Sequence, residues 1–162
     1  MPTAVVLRPV RADDSAALVT VWRAAVEATH GFLAPSDVDG LEHLVRDEAL
    51  PAVDVTVAMR SGVPVGFVGT SHAADDDVAV VEMLFVAPAA HGLGVGTALL
   101  EHAAAGHVAT RLDVNEQNPA ALGFYRARGF VVVGRSPTDG QGRAFPLLHL
   151  RRSADLSADP RE

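Results

Sequence analysis

The sequence predicts one mixed α/β domain, with a mostly antiparallel central sheet and a single β-α-β unit at its centre. Three observations carry this. Stretches of alternating and of helical hydrophobic spacing succeed one another in the order β-α-α-β-β-β-α-β-α-β-β. Two alternating stretches, 53–59 and 65–71, are joined by Ser61, Gly62 and Pro64, the chemistry of a hairpin turn. The most apolar strand, 78–86, leads through a Gly-rich loop and a helix to a further strand at 108–114, and such a crossover makes the two strands parallel.

Each element has its own signal. A strand over 4–10 alternates apolar and polar side chains. Asp13 is placed to cap a helix in which Ala16, Ala17, Val19, Trp22, Ala25 and Val26 recur at helical spacing, and Gly31 and Pro35 break it. Ser36 opens a second helical stretch with Leu41, Leu44 and Val45 on one side and a stop at Pro51. Residues 73–77 read as an acidic loop, and the strand after it carries one charge, Glu82. A helix runs from about 94 to 105. Asn118 and Pro119 supply a cap and a first-turn proline for a helix ending near Arg128, and Gly129 suits the left-handed residue beyond it, with Phe130 folding back. Stretches 130–135 and 143–152 read as a closing strand pair, with 143–151 at an edge that can pair with a second copy, so the chain is expected as a monomer or a homodimer. The domain spans 1–152, and 153–162 is a polar, frayed tail.

Composition narrows the function. A chain of 162 residues buries roughly 70% of the surface its unfolded form exposes and needs no covalent staple. The absence of cysteine excludes a disulfide framework, a thiolate zinc site, an iron–sulfur cluster and a cysteine nucleophile. No apolar run approaches the ~18 residues of a membrane span, and 1–11 carries no signal-peptide block, so a cytoplasmic protein with no membrane partner is expected. Twenty acidic residues against 13 basic ones, a net charge of -7, argue against nucleic acid and favour a cationic partner or simple solubility. Every basic residue is Arg, so the chain has no lysine side chain to acylate. His72 with Asp75, Asp76 and Asp77 has metal-ligand chemistry but reads as an acidic loop, and no metal is expected. No Ser, His and Asp stand in a recognisable nucleophile motif.

The loop His91-Gly92-Leu93-Gly94-Val95-Gly96-Thr97 joins a buried strand to a helix N-terminus. Such a terminus offers unpaired N–H groups and the positive end of the helix dipole, and glycines let an anion approach the backbone. With no acidic side chain in the first turn, the chemistry is that of a pyrophosphate cradle. A Walker loop fails for want of lysine, and a Gly-x-Gly-x-x-Gly fingerprint fails because Thr97 or Leu99 occupies its third slot. Asp113 does stand where a ribose-binding acid would. A coenzyme A pyrophosphate or a merely flexible turn remain as readings.

Downstream, a strand ending in Asn115-Glu116-Gln117-Asn118 feeds a helix that bears the only tyrosine, Tyr125. Leu84-Phe85-Val86-x-Pro88, Gly92-x-Gly94-x-Gly96 and Asn118-x-x-Ala121-x-x-Phe124-Tyr125 with Gly129-Phe130 together resemble the GCN5-related N-acetyltransferase (GNAT) superfamily, over roughly residues 4 to 150. Ala28-Thr29-His30-x-Phe32-Leu33 and Pro146-Leu147-Leu148-His149-Leu150 resemble its bacterial YjaB-like branch of peptidyl-lysine N-acetyltransferases. The family usually has Arg or Gln where His91 stands.

The resemblance implies a GNAT fold in which the parallel strands at 78–86 and 108–114 splay and admit the pantetheine arm of acetyl-CoA. Backbone groups of Leu84, Phe85 and Val86 would hold that arm, those from His91 through Gly92, Leu93, Gly94, Val95 and Gly96 to Thr97 the pyrophosphate, Asn118 the coenzyme, and Arg126 its terminal phosphate. Acetyl would pass directly to an amine, of a protein lysine, a protein N-terminus or a small molecule such as a polyamine or aminoglycoside. A coenzyme A-binding sensor without turnover is the reading from another class. Tyr125 would protonate the departing thiolate, since a thiol has a pKa of ~8.5 and a phenol ~10; core packing is its other role. Glu82, expected as a partly buried carboxylate, would be the base, or else paired with an Arg. His30 is a second base, a substrate contact or a helix cap, and Phe32 lines the same acceptor wall.

Overall fold

The computed structural model describes residues 4–72, 77–140 and 142–154. The element order is the predicted one, and seven strands form a sheet in the order β1-β2-β3-β4-β5-β7-β6. The chain gathers into two compact units that share the fourth strand, which passes from one to the other at Glu82.

The first unit holds β1 (Val6–Pro9), α1 (Ser15–Thr29), α2 (Pro35–Leu44), α3 (Leu50–Ala52), β2 (Asp54–Arg60), β3 (Val63–His72), the end of β4 (Val78–Val86) and α4 (Val95–Ala104). Strand β2 is antiparallel to both β1 and β3. The β2–β3 hairpin turns at Ser61 and Gly62, both at positive φ (53° and 77°), the pair of left-handed residues that a two-residue turn between twisted strands requires. Its core is Leu18, Val21, Trp22 and Val26 of α1 against Val55, Val57, Phe67 and Met83. Each such side chain, fully buried, contributes roughly 1.5–3 kcal/mol. Leu18 and Val21 replace the predicted Ala16 on the buried stripe.

The cap of α1 is a correction. Asp14, not Asp13, stands before the helix, and its side chain bonds none of the helix's first N–H groups. Its carboxylate is buried, takes two bonds from Arg8 (2.7 and 2.9 Å) and one from the Arg11 N–H (2.6 Å), and is held at a pKa of about 2, chiefly by the Arg8 guanidinium. The second helical stretch ends where the sequence places its stop: α2 continues through a π-turn at Val45–Ala49 into α3, which ends at Ala52, one residue beyond Pro51.

The second unit holds Val78–Val81 of β4 with β5 (Ala109–Asn115), α5 (Pro119–Arg126), β6 (Val131–Ser136) and β7 (Leu147–Ser153). Strand β7 is antiparallel to both β5 and β6. The expectation that 143–151 is an edge is therefore overturned: β7 returns between its neighbours, and β6 is the outer strand. Strand β7 also extends to Ser153, and the Ala154 N–H bonds the Val108 carbonyl at 2.8 Å, so the first two residues assigned to the tail are ordered. The rest of that tail, and residues 73–76 of the acidic loop, lie outside the described residues.

Candidate active site

The strand-to-helix turn of the first unit is built by glycine and anchored by apolar packing. After β4, a short 3-10 turn at Pro88–Ala90 brings the chain to His91–Gly94, all exposed, and then into α4. Gly92 and Gly94 stand at φ 81° and 79°, where a side chain is strained, and a Cβ at either would meet nothing within 4 Å. The backbone here is open to a ligand. No acidic residue lies in the first turn of α4, and its first N–H groups lack partners within the helix. Val95, Leu99 and Leu100, at most 1% exposed, seat the helix. Gly66 of β3, which the sequence reading passed over, permits that seating: an added Cβ would stand 2.9 Å from the Phe85 carbonyl oxygen and 3.1 Å from Val95 Cγ1.

His91 behaves differently from the rest of the predicted cradle. Its backbone N–H already bonds the Pro88 carbonyl (3.1 Å), and its Nε2 lies 3.1 Å from the Val86 carbonyl. A carbonyl only accepts, so Nε2 donates to it, and that N–H is not turned towards an anion. Leu84 and Val86 are half-buried on β4. Glu82, on the same side of that strand, is exposed rather than partly buried, and its Oε2 accepts from the Ser71 hydroxyl at 2.7 Å, not from an Arg.

His30 closes α1 by donating its backbone N–H to the Val26 carbonyl (2.7 Å), and its ring lies 5.2 Å from that of Phe32. Burial pushes the imidazole pKa down. Thr29 spends its hydroxyl hydrogen on the Ala25 carbonyl (2.7 Å), so His30 Nδ1, 2.8 Å from Thr29 Oγ1, donates to that hydroxyl oxygen and Nε2 keeps a lone pair. Trp22 is core.

In the second unit, Asn118 is buried and caps α5, its Oδ1 accepting from the Ala121 N–H at 3.2 Å. That leaves its amide N–H groups for a ligand. Tyr125 is 7% exposed, with the Phe124 and Phe130 rings edge-on at 5.1 and 5.5 Å, and burial pushes its phenol pKa up. Its packing role is thus present. The Phe130 N–H returns to the Tyr125 carbonyl (3.1 Å) past Gly129 at φ 93°. Arg126 is exposed. The parallel ladder runs from Val78↔Ala109 to Val81↔Leu112 and stops, although β4 and β5 both continue. Just past its end, Asp113, His149 and Ser136 are linked by hydrogen bonds of 2.6 and 2.7 Å. Three residues spread over three strands leave no local pattern for a sequence reading to find.

The acetyltransferase (GNAT) domain family matches residues 51–132. YjaB of Escherichia coli (strain K12), a peptidyl-lysine N-acetyltransferase, is 40% identical over 145 residues, 89% of this chain and 94% of that protein. The solution structure of apo-form YjaB from Escherichia coli matches with a TM-score of 0.79 at 37% identity, over 91% of this chain and 97% of that one. The PaiA N-acetyltransferase of Thermoplasma acidophilum, solved with coenzyme A, shares the fold alone, with a TM-score of 0.74 at 20% identity over 93% and 99% of the two chains. A domain match across half the sequence and a relative aligned along most of it agree with the open glycine turn and the sheet order, and the chain belongs to the GNAT family of acetyltransferases.

Proposed function

We propose that this chain moves the acetyl group of acetyl-CoA directly onto the amine of a protein lysine side chain. The observation that carries the reading is the turn of open, left-handed glycines running into an acid-free helix start, which suits a diphosphate. The likeness to YjaB supports a lysine as acceptor.

Backbone N–H groups from Gly92 to Thr97 hold the pyrophosphate. The Leu84, Phe85 and Val86 backbone holds the pantetheine arm, the free amide hydrogens of Asn118 hold the coenzyme, and Arg126 reaches its terminal phosphate. His30 and Phe32 contact the acceptor. Glu82, steadied by the Ser71 hydroxyl, takes the proton of the acceptor ammonium, directly or through a water. As the neutral amine attacks, the N–C bond forms and the C–S bond breaks; Tyr125 gives the leaving thiolate its proton and regains one that the acylated nitrogen releases to water, so an amide and a thiol are formed. Burial raises the phenol pKa, which makes Tyr125 a weaker acid, so its proton moves only as negative charge builds on the sulfur.

The test is thiol release from acetyl-CoA with a lysyl peptide, a lysine-free peptide with a free N-terminus, and a polyamine. Release with acetyl found on the lysyl peptide is expected. Release with the polyamine alone would make this a small-amine enzyme, and saturable coenzyme A binding without release would make it a sensor.

A further inference from the structure

Tyr125 is the last residue but one of α5 (Pro119–Arg126), a helix of eight residues. Helices that short are marginal by themselves, and the final turn frays unless its carbonyls find donors. Two guanidiniums supply donors at this end. Arg128 folds back over the helix, its Nη1 donating to the Phe124 carbonyl at 2.8 Å while its guanidinium carbon lies 3.7 Å from the centre of the Phe124 ring. Arg152 comes from β7, where it stands opposite Thr110 of β5, and it is buried. Its Nη1 donates to the Arg128 carbonyl at 3.0 Å, and its guanidinium carbon lies 5.0 Å from the centre of the Phe130 ring. Its stem runs beneath Gly129, where an added Cβ would meet Arg152 Cδ at 3.4 Å. Both positive charges suit the negative end of the helix dipole and the faces of aromatic rings.

The two rings so covered are those that flank Tyr125 edge-on. The chain reversal passes through the same residue, since the Tyr125 carbonyl accepts from the Arg128 and Phe130 N–H groups at 3.0 and 3.1 Å. Arg152 therefore ties the end of a short helix, and the aromatic cluster on it, to a strand held between two others. We propose that Arg152, with Arg128, is a positioning residue that holds the Tyr125 phenol in the orientation from which it donates its proton. The inference rests on the reading above, in which Tyr125 is the acid. Arg152 acts through Tyr125 and not on the reacting atoms, and a donor displaced by about 1 Å can lose about 10²-fold in rate.

The experiment is a double-mutant cycle of Arg152→Met and Tyr125→Phe, with acetyl-CoA and the lysyl peptide. Each variant is read for kcat, KM, coenzyme A affinity and melting temperature. Variants that keep Tyr125 are also titrated by phenolate absorbance, which reports this single tyrosine. Arg152→Met should lower kcat about 10- to 100-fold and leave KM and coenzyme A affinity unchanged. Its phenol, no longer sealed, should titrate earlier than in wild type, nearer the pH ~10 of a free phenol. In the double variant kcat should fall no further than in Tyr125→Phe alone, because a residue that acts through the hydroxyl has nothing left to act on. Arg152→Lys keeps a donor for the Arg128 carbonyl and should recover part of both changes. Arg128→Met, at a half-buried position, is read alongside in case Arg152→Met does not fold, and should show the same changes at smaller size. A folded Arg152→Met that keeps its kcat, or whose loss adds in full to that of Tyr125→Phe, overturns the proposal. So does slowed turnover with the phenol titrating as in wild type, a lysine variant no better than the methionine one, or, where Arg152→Met does not fold, an Arg128→Met with unchanged kcat. Full turnover in Tyr125→Phe would remove the acid itself and this proposal with it, a failure of the proposed mechanism that the cycle shows separately from any failure of Arg152.

Discussion

Tyr125 carries two loads at one position. Its ring belongs to an aromatic cluster with Phe124 and Phe130, so Tyr125→Phe keeps the packing and removes only the hydroxyl. The expected outcome is a fall in kcat of about 10²-fold with coenzyme A affinity and fold intact, read by steady-state kinetics beside a binding titration. Unchanged turnover would leave packing as the residue's whole role. The raised pKa has a thermodynamic sign. The unfolded chain releases the phenol proton near pH ~10 while the folded chain keeps it, so the folded state binds more protons above that pH. Stability is therefore full below pH ~10 and declines above it, by at most about 1.4 kcal/mol per pH unit. Urea melts of wild type and Tyr125→Phe between pH 9 and 11 check this, as the variant lacks that contribution. Because Tyr125 is the only tyrosine, phenolate absorbance follows the same group directly and should rise later in the native protein than in urea.

At the scale of elements, the strand-to-helix turn separates strain from charge. Gly94 is left-handed with open space around its missing Cβ, so Gly94→Ala should cost about 1–2 kcal/mol of stability and little affinity. Gly94→Glu adds a like charge at the start of α4, and coenzyme A affinity should fall by about 5- to 30-fold by calorimetry. Equal losses in the two variants would show that the turn's shape, not its field, binds the anion. Gly66→Ala should act from beneath: with the Phe85 carbonyl and Val95 already at contact, an extra methyl should destabilise by about 1–3 kcal/mol and weaken coenzyme binding together. These elements differ in how legible they were. The β4 boundaries, the Asn118 cap and the Gly129 reversal are local devices, and local devices are written in neighbouring residues. The place of β7 between β5 and β6 is set by long-range pairing, so adjacency in sequence misassigned the edge. Asp13 and Asp14 are equivalent cap candidates as sequence, and Arg8 across the turn takes the Asp14 carboxylate, so neither side chain caps α1 as expected. Glu82 was expected to be partly buried because its strand is apolar, but a strand has two faces and Glu82 lies on the exposed one.

For the whole molecule, net charge sets a further expectation. With -7 overall and no lysine of its own, the chain should attract basic peptides more than acidic ones. Acetylation of a Lys/Arg-rich peptide should lose about tenfold in kcat/KM between low and high salt, while an acidic peptide of equal length gains or stays level. Identical salt responses would confine recognition to short-range contacts. The outer strand β6 carries exposed Val131, Val132 and Val133, but its register slips between Val132 and Gly134. A slip of that kind bends an edge away from flat pairing with another chain. A lone phenol among phenylalanines also makes the protein its own reporter. Feeding cells fluorinated tyrosine would alter a single ring per molecule, giving one fluorine resonance that registers coenzyme occupancy and one acidified donor whose altered turnover measures how far its proton has travelled when the sulfur departs.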